Sequence, residues 1–366
     1  MTKVMVAMSG GVDSSVTAAI LNEKGFDVIG ATMKIVPDFV KDSHEQEGSC
    51  CAISDAKKVA AALDIPHYSF NFKKAFSERV INNFVKEYTS GRTPNPCVVC
   101  NKELKFFELL RRSREVGCQY LATGHYALKT KSNSGDRILL KKGRSPDKDQ
   151  SYMLYRLDQK QLKKSLFPLG NYEKRQVREL AQKFDLPVSD KPDSQEICFV
   201  PDDDYKKFLE RHFSQPGKTG PIYYVDGEKI GEHEGLYNYT IGQRRGLGIS
   251  LDHPVYVLEI DSENNALIVG PRSELNFKGL KVKKLNWIPF QKPPQYLKAD
   301  VKVRYNADSV KSIIEPVSSD QARVFFQKPV RAVAPGQSAV FYREDLVVGG
   351  GLIEKGFRIK KIGSSP

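Results

Sequence analysis

The segment MVAMSGGVDSSVTAAIL, residues 5–21, sets two glycines, a carboxylate and three hydroxyls between an apolar run and a helix-like pattern. A strand that turns through glycines into a helix N-terminus aims several backbone N–H groups at one point, and the helix dipole adds partial positive charge there. Such a corner binds phosphate. Gly10 and Gly11 let the backbone approach an anion closely, and Ser9, Ser14 and Ser15 add hydroxyl donors. Asp13 cannot bind an anion directly; its carboxylate can hold Mg2+ or brace the loop. No Lys-Ser/Thr pair follows the glycines, and the pattern G-x-x-x-x-G-K-S/T occurs nowhere in the chain, so this is not the loop that favours terminal phosphoryl transfer. The bland alternative is an ordinary strand–turn–helix corner.

Cysteines form a second group. Of six, at 50, 51, 97, 100, 118 and 198, none lies in the last 168 residues. A disulfide scaffold would spread them along a small secreted chain, so metal, redox or nucleophile chemistry is expected instead. Cys97 and Cys100 sit in GRTPNPCVVCNKELKF, residues 91–106, where two prolines stiffen the approach to a C-x-x-C and a helix is expected just after it. Thiols near a helix N-terminus, with Lys102 and Lys105 close by, should have lowered pKa values and be partly thiolate. A zinc knuckle is the competing reading, but no second C-x-x-C exists. Cys198 lies in KPDSQEICFVPDDDY. Cys118 reads as core, and Cys50-Cys51, ahead of a helix, as packing residues or a weak metal site.

These residues need a scaffold. Residues 4–8 read as a strand buried on both faces, 14–24 as a helix closed by Gly25, and 26–33 as a second strand. Residues 55–63 are helical in pattern, 66–70 strand-like, 75–88 and 102–116 amphipathic helices, and 119–123 another short strand. This alternation predicts an α/β fold, an open parallel sheet with helices on both faces. After about residue 205 the pattern becomes β-rich, beginning with a hairpin signal at Asp226-Gly227. The expected domains are a nucleotide-binding catalytic domain over 1–205, a small central domain over 206–272 and a C-terminal β-barrel over 273–366. Residues 41–48 and 129–136 read as polar loops.

The 366-residue chain carries a net charge of +13, and residues 271–366 supply +10 of it, with 18 Lys and Arg against 8 Asp and Glu. Positive charge concentrated in one region is the footprint of a polyanion partner. No apolar run approaches the ~18 residues of a membrane span, and residues 4–8 are too short for a signal-peptide core of about 7–15 residues, so a cytoplasmic protein is expected.

SGGVDSS resembles the pyrophosphate-binding loop of the ATP pyrophosphatases. AMSGGVDSS, GRTPNPC..CNKELKF, ATGHYA, KDQSYML, DSQEICF, YTIGQRRGLGI, VRY and RAVAPGQSAVFY follow in order from residue 7 to residue 342. Together they resemble the bacterial tRNA 2-thiouridylases of the MnmA type over nearly the whole chain. The resemblance implies ATP over Ala7, Met8, Ser9, Gly10, Gly11, Val12, Asp13 and Ser14, with Met33 beside the adenine and Gly124 in the nucleotide pocket. It implies adenylation of O2 of the wobble uridine in tRNAs of the Lys, Glu and Gln type. It further implies a persulfide on Cys198, charged by a sulfur-relay protein or cysteine desulfurase, with Cys100 as nucleophile and a Cys100–Cys198 disulfide left behind. Asn95, Pro96 and Cys97 would meet the target base. His125, Lys148, Asp149, Gln150, Arg304, Tyr305 and Gln337 would touch the rest of the tRNA, with the wobble base flipped into its pocket. His125 alone also reads as a satisfied core histidine. A monomer is expected. Many members of that family carry Asp where this chain has Cys97. The change creates a three-thiol set, Cys97, Cys100 and Cys198, that could ligate a 4Fe-4S cluster with one open iron. Two other readings remain: another adenylating enzyme with this loop, such as an amide-forming synthetase, and a non-catalytic RNA-binding protein with a degenerate nucleotide site.

Overall fold

A computed structural model describes residues 1–37, 47–192, 197–200, 204–212 and 217–358, without the side chains of 47–52. The described chain packs as two compact units that do not follow simple sequence boundaries. The first takes Met1–Ile81, Pro96–Asp203 and Asp345–Val348, and the second Asn82–Asn95, Asp204–Glu344 and Gly349–Pro366.

The first unit is built on β1 (Lys3–Ala7), β2 (Asp27–Lys34), β3 (His67–Asn71), β4 (Tyr120–Ala122) and β7 (Ser165–Leu166), in the order β3-β2-β1-β4-β7, every pair parallel. β1 is central, and Val4, Met5 and Val6 are fully buried, which is why its apolar run is continuous rather than alternating. α1 (Val12–Glu23) follows it, and Gly25, at φ +75°, ends that helix as expected. Val4 and Val6 share one core with Val16, Ala19 and Ile20 of α1, with Val177 and Ala181 of the helix Lys174–Lys183, and with Val59 and Ala60 of α2 (Glu47–Ala62). α2 starts earlier than residue 55, so Cys50 and Cys51 lie within it rather than ahead of it. Of the expected polar loop at 41–48, residues 41–46 lie outside the described residues and Gly48 is helical.

Two further differences matter. The C-x-x-C is itself helical, Pro96–Cys100, continued by a π-helical segment Asn101–Leu109. Proline suits the first helical position because the N–H it lacks would have no partner there. Residues 129–131 are strand, not loop: β5 (Ala127–Lys131) and β6 (Ile138–Lys142) form a hairpin, and Leu346 and Val347 pair with Lys141 and Leu140 of β6.

The second unit holds a four-stranded sheet, β10-β11-β8-β9, from β8 (Gly220–Tyr224), β9 (Lys229–His233), β10 (Tyr256–Asp261) and β11 (Ala266–Gly270). Gly227, at φ +98°, makes the β8–β9 turn as its dipeptide predicted. The rest is β12 (Asn276–Trp287), β13 (Leu297–Lys302), β14 (Val310–Pro316), β15 (Gln321–Arg331), β16 (Ser338–Arg343) and β17 (Leu346–Arg358). Their order, β12-β15-β14-β13-β16-β17, closes through a β12–β17 pairing into a six-stranded barrel. The α/β class, the parallel sheet and the terminal barrel agree with the sequence reading. Among the described residues no helix is long and apolar enough to cross a membrane.

Candidate active site

Strand order reverses at β1, with β2 on one side and β4 on the other. In parallel sheets such a reversal opens a crevice at the carboxyl ends of the strands, where ligands bind. Residues 8–14 leave β1 at that end. Met8 N donates to Ala31 O at 2.8 Å and Thr32 Oγ1 donates to Met8 O at 2.8 Å, so the strand end is pinned to β2 before the turn begins. Gly10, at φ +73°, makes the turn, and Gly11 is extended ahead of the helix. Ser14 Oγ donates to Gly11 O at 3.0 Å and accepts from Ser9 N at 3.1 Å; Ser15 Oγ donates to Gly11 O at 2.9 Å. The hydroxyls thus shape the loop. The first-turn N–H groups of α1 have no partner within the helix and are the donors available to an anion.

Gly124, just past β4, lies against this turn. A Cβ there would stand 2.9 Å from Asp13 C and 3.0 Å from Ser14 N. Only glycine permits that approach, which explains a glycine at this position without assuming contact with a ligand. Met33, near the end of β2, is half-buried.

For Asp13 the sequence left two roles open, and the structure displays the brace. Its Oδ1 accepts from Tyr126 Oη at 2.7 Å and from Lys174 Nζ at 2.7 Å. A second lysine reaches the loop: Lys191 Nζ donates to Gly10 O at 3.2 Å and to Asp55 Oδ2 at 2.7 Å. Sequence reasoning missed Tyr126, Lys174, Lys191 and Asp55. No spacing rule links them to the loop; the one available signal was the loop's own want of a cation.

The three thiols meet in the same unit. Cys97 and Cys100 are one helical turn apart in Pro96–Cys100, the first exposed and the second buried. Cys198 is exposed, and its segment is anchored by the buried Phe199 and Val200, the Phe199 ring standing edge-on to Phe76 at 5.4 Å. All three are free thiols, as is the buried Cys118, the expected core residue. The expected lowered pKa values are not found. Burial pushes Cys100 up to about 11, and the protein crowded around the two solvent-reaching thiols pushes Cys97 and Cys198 up as well. Cys97 adds to the rise at Cys100, and Cys100 and Cys97 add to that at Cys198. Lys105 opposes the rise at each and is outweighed, because removing a thiolate from water costs more than one half-buried ammonium returns. These effects of one thiolate on the next place the three within electrostatic reach of one another. Even so, among the described residues no group of three or more His, Cys, Asp or Glu side chains is arranged to hold a metal ion.

His125 is buried, with Nδ1 on Thr123 Oγ1 at 2.8 Å and its ring among Phe106 and Phe167. Burial, aided by Lys105, holds its pKa well below the usual value, so the ring is neutral at pH 7. Asp149 and Gln150 serve their own turn: Asp149 accepts from Gly143 N, Ser151 N and Ser151 Oγ, and Gln150 Oε1 accepts from Tyr126 N at 3.0 Å. Lys148 ends the preceding helical turn, half-buried.

In the second unit, Gln337 Nε2 donates to Thr93 O at 3.1 Å and Pro94 O at 3.2 Å, fixing the chain that leads into Asn95. Arg304 is exposed just beyond β13, and Tyr305 lies beneath Lys302 Nζ at 5.5 Å.

Three family models match in succession: a tRNA methyl transferase HUP domain over residues 2–202, a tRNA methyl transferase PRC-barrel domain over 206–271 and an aminomethyltransferase beta-barrel domain over 277–353. The chain is 52% identical to the tRNA-specific 2-thiouridylase MnmA of Halothermothrix orenii, over 98% of this chain and 100% of that one. It is 51% identical to MnmA 1 of Caldanaerobacter subterraneus subsp. tengcongensis, over 97% and 99%. It is 50% identical to MnmA of Natranaerobius thermophilus, over 96% and 97%. Identity at that level over essentially full length on both sides places this chain in the MnmA family of tRNA-specific 2-thiouridylases.

Proposed function

We propose that the protein is a cytoplasmic, monomeric tRNA-uridine 2-sulfurtransferase that adenylates O2 of the wobble uridine and replaces that oxygen with sulfur. The observation that carries the reading is a lysine-free anion loop at the sheet's switch point, in the same unit as a cluster of three free thiols. Neither an amide-forming synthetase nor a degenerate RNA-binding protein has a use for both.

Uridine O2 attacks the α-phosphate of ATP and pyrophosphate departs. The terminal sulfur of a Cys198 persulfide then attacks C2, and AMP leaves with the former O2. Cys100, as thiolate, attacks Sγ of Cys198, breaking the S–S bond. Sulfur stays on the base, and a Cys100–Cys198 disulfide remains for a reductant. Both resting thiols are protonated at pH 7, so the attacking sulfur must lose its proton during the cycle; Lys105 is the cation that favours this. Mg2+ would enter on the nucleotide, held by its phosphates, since Asp13 is already engaged by Tyr126 and Lys174. Among the described residues the thiols are not arranged to hold a 4Fe-4S cluster.

The tRNA anticodon region would be met by Asn95, Pro96, Cys97, His125, Lys148, Asp149, Gln150, Arg304, Tyr305 and Gln337, with residues 273–366 as the tRNA-binding domain. A sulfur-relay protein or cysteine desulfurase would charge Cys198. The test is product analysis with labelled ATP, unmodified tRNA and a persulfide donor. AMP, pyrophosphate and 2-thiouridine should appear together, whereas tRNA-dependent ADP would refute the reading.

A further inference from the structure

A loop that binds the triphosphate of ATP and releases pyrophosphate handles several negative charges, yet residues 8–15 contain no cation. Helix-terminal N–H groups carry only partial charge. Pyrophosphate gains charge as it leaves, and fixed cations at that position stabilise the transition state in a way that neutral donors do not.

We propose that Lys191 is the missing cation: it binds the β- and γ-phosphates of ATP and the departing pyrophosphate, the task performed in other nucleotide loops by a lysine within the loop. This deepens the nucleotide reading above and rests on it. Lys191 reaches the turn itself, its Nζ 3.2 Å from Gly10 O, and Asp55 Oδ2 also holds the ammonium at 2.7 Å. An ammonium has three N–H donors. Among the described residues Gly10 and Asp55 take two, and the third is available to a phosphate oxygen. The side chain is 37% exposed, so a ligand entering the crevice can reach it without displacing core.

Lys174 differs. It is 15% exposed and delivers its charge to Asp13, which Tyr126 also holds. Its charge is spent on the brace, and it fixes the first turn of α1 rather than the ligand. Lys191 shares its charge with Asp55, but that contact leaves the ammonium on the loop and oriented. A cation that merely clamped residue 191 onto the turn would use the same two contacts, so the test must separate clamping from phosphate binding.

Calorimetric titrations of the full-length wild type, Lys191→Met and Lys191→Arg with ATP, inorganic pyrophosphate and AMP do so, because AMP lacks the β- and γ-phosphates. Lys191→Met should weaken ATP and pyrophosphate binding about ten- to hundredfold, the span of one charge-assisted hydrogen bond. AMP affinity should be unchanged, and Lys191→Arg should recover most of the loss. Equal losses for AMP and ATP, together with a lowered Tm, would assign Lys191 to the clamp and overturn the proposal. Unchanged pyrophosphate affinity in Lys191→Met would overturn it and leave the nucleotide reading standing. Wild type that binds neither ATP nor pyrophosphate would overturn both.

Discussion

Gly124→Ala tests whether the loop geometry, rather than its composition, makes the nucleotide site. The added Cβ would stand 2.9 Å from Asp13 C, 3.0 Å from Ser14 N and 3.1 Å from Asp13 Cβ. Two of these are backbone atoms of the first turn of α1, which no rotamer change can move. Ordinary contact begins near 3.4 Å, so the turn must retreat by about 0.5 Å, and overpacking of this kind costs about 1–3 kcal/mol. The same retreat misaligns the N–H groups meant for phosphate. Losing the equivalent of one hydrogen bond to a charged group weakens binding about ten- to hundredfold. Gly124→Ala should therefore raise the dissociation constant for ATP by that factor while lowering Tm by a few degrees. Gly25→Ala is the control: its φ of +75° makes alanine strained, but among the described residues no atom beyond its chain neighbours lies within 4 Å of the added Cβ. It should cost about 1 kcal/mol of stability and leave ATP binding unchanged. Calorimetric titration and thermal unfolding on the three proteins suffice. Wild-type ATP affinity in Gly124→Ala would refute the reasoning, as would an equal loss in Gly25→Ala.

Alkylation of Cys100 should accelerate about tenfold per pH unit from pH 7 to 9 with no plateau, because its pKa lies at about 11. The same shift sets a stability trend. The stabilisation from Cys100 is full below the unfolded value near 9 and falls as pH rises towards 11, since the unfolded chain releases a proton that the folded one retains; Cys100→Ser should flatten that fall in denaturant titrations. Cys97→Asp should retain much of the thiolation activity, whereas Cys100→Ser and Cys198→Ser should each abolish it. Iron bound by anaerobically purified wild type and lost with activity in Cys97→Asp would reverse that assignment. Binding of tRNA should weaken linearly in log K against log salt, and Arg304→Ala in the full chain should reduce the slope by about one phosphate contact; an unchanged slope would place the RNA surface elsewhere.

Local chemistry was legible in the sequence. The buried run ahead of Ser9, the glycine turn, the stop at Gly25 and the Asp226-Gly227 hairpin each follow from steric rules acting within a few residues. Polar patterning hid other elements. The β5–β6 hairpin surrounds a hydrophilic turn and β14 is half-exposed, so neither carried a clean apolar signal. The Pro96–Cys100 helix was obscured by its proline, a residue that reads as loop unless it occupies the first helical position.

The sequence by itself determined which groups are present: a lysine-free hydroxyl- and glycine-bearing loop, three cysteines in motif contexts and a basic C-terminal region. Only the tertiary structure decided what those groups are. It brought Tyr126 and Lys174 to Asp13, and Lys191 to Gly10, across separations that no local rule spans. It also reversed the expected state of the thiols. Charge on Lys105 is visible in sequence, but the desolvation that outweighs it is a property of everything packed around Cys100. Steric preferences are written residue by residue, whereas burial and long-range contact exist only once the chain has closed on itself.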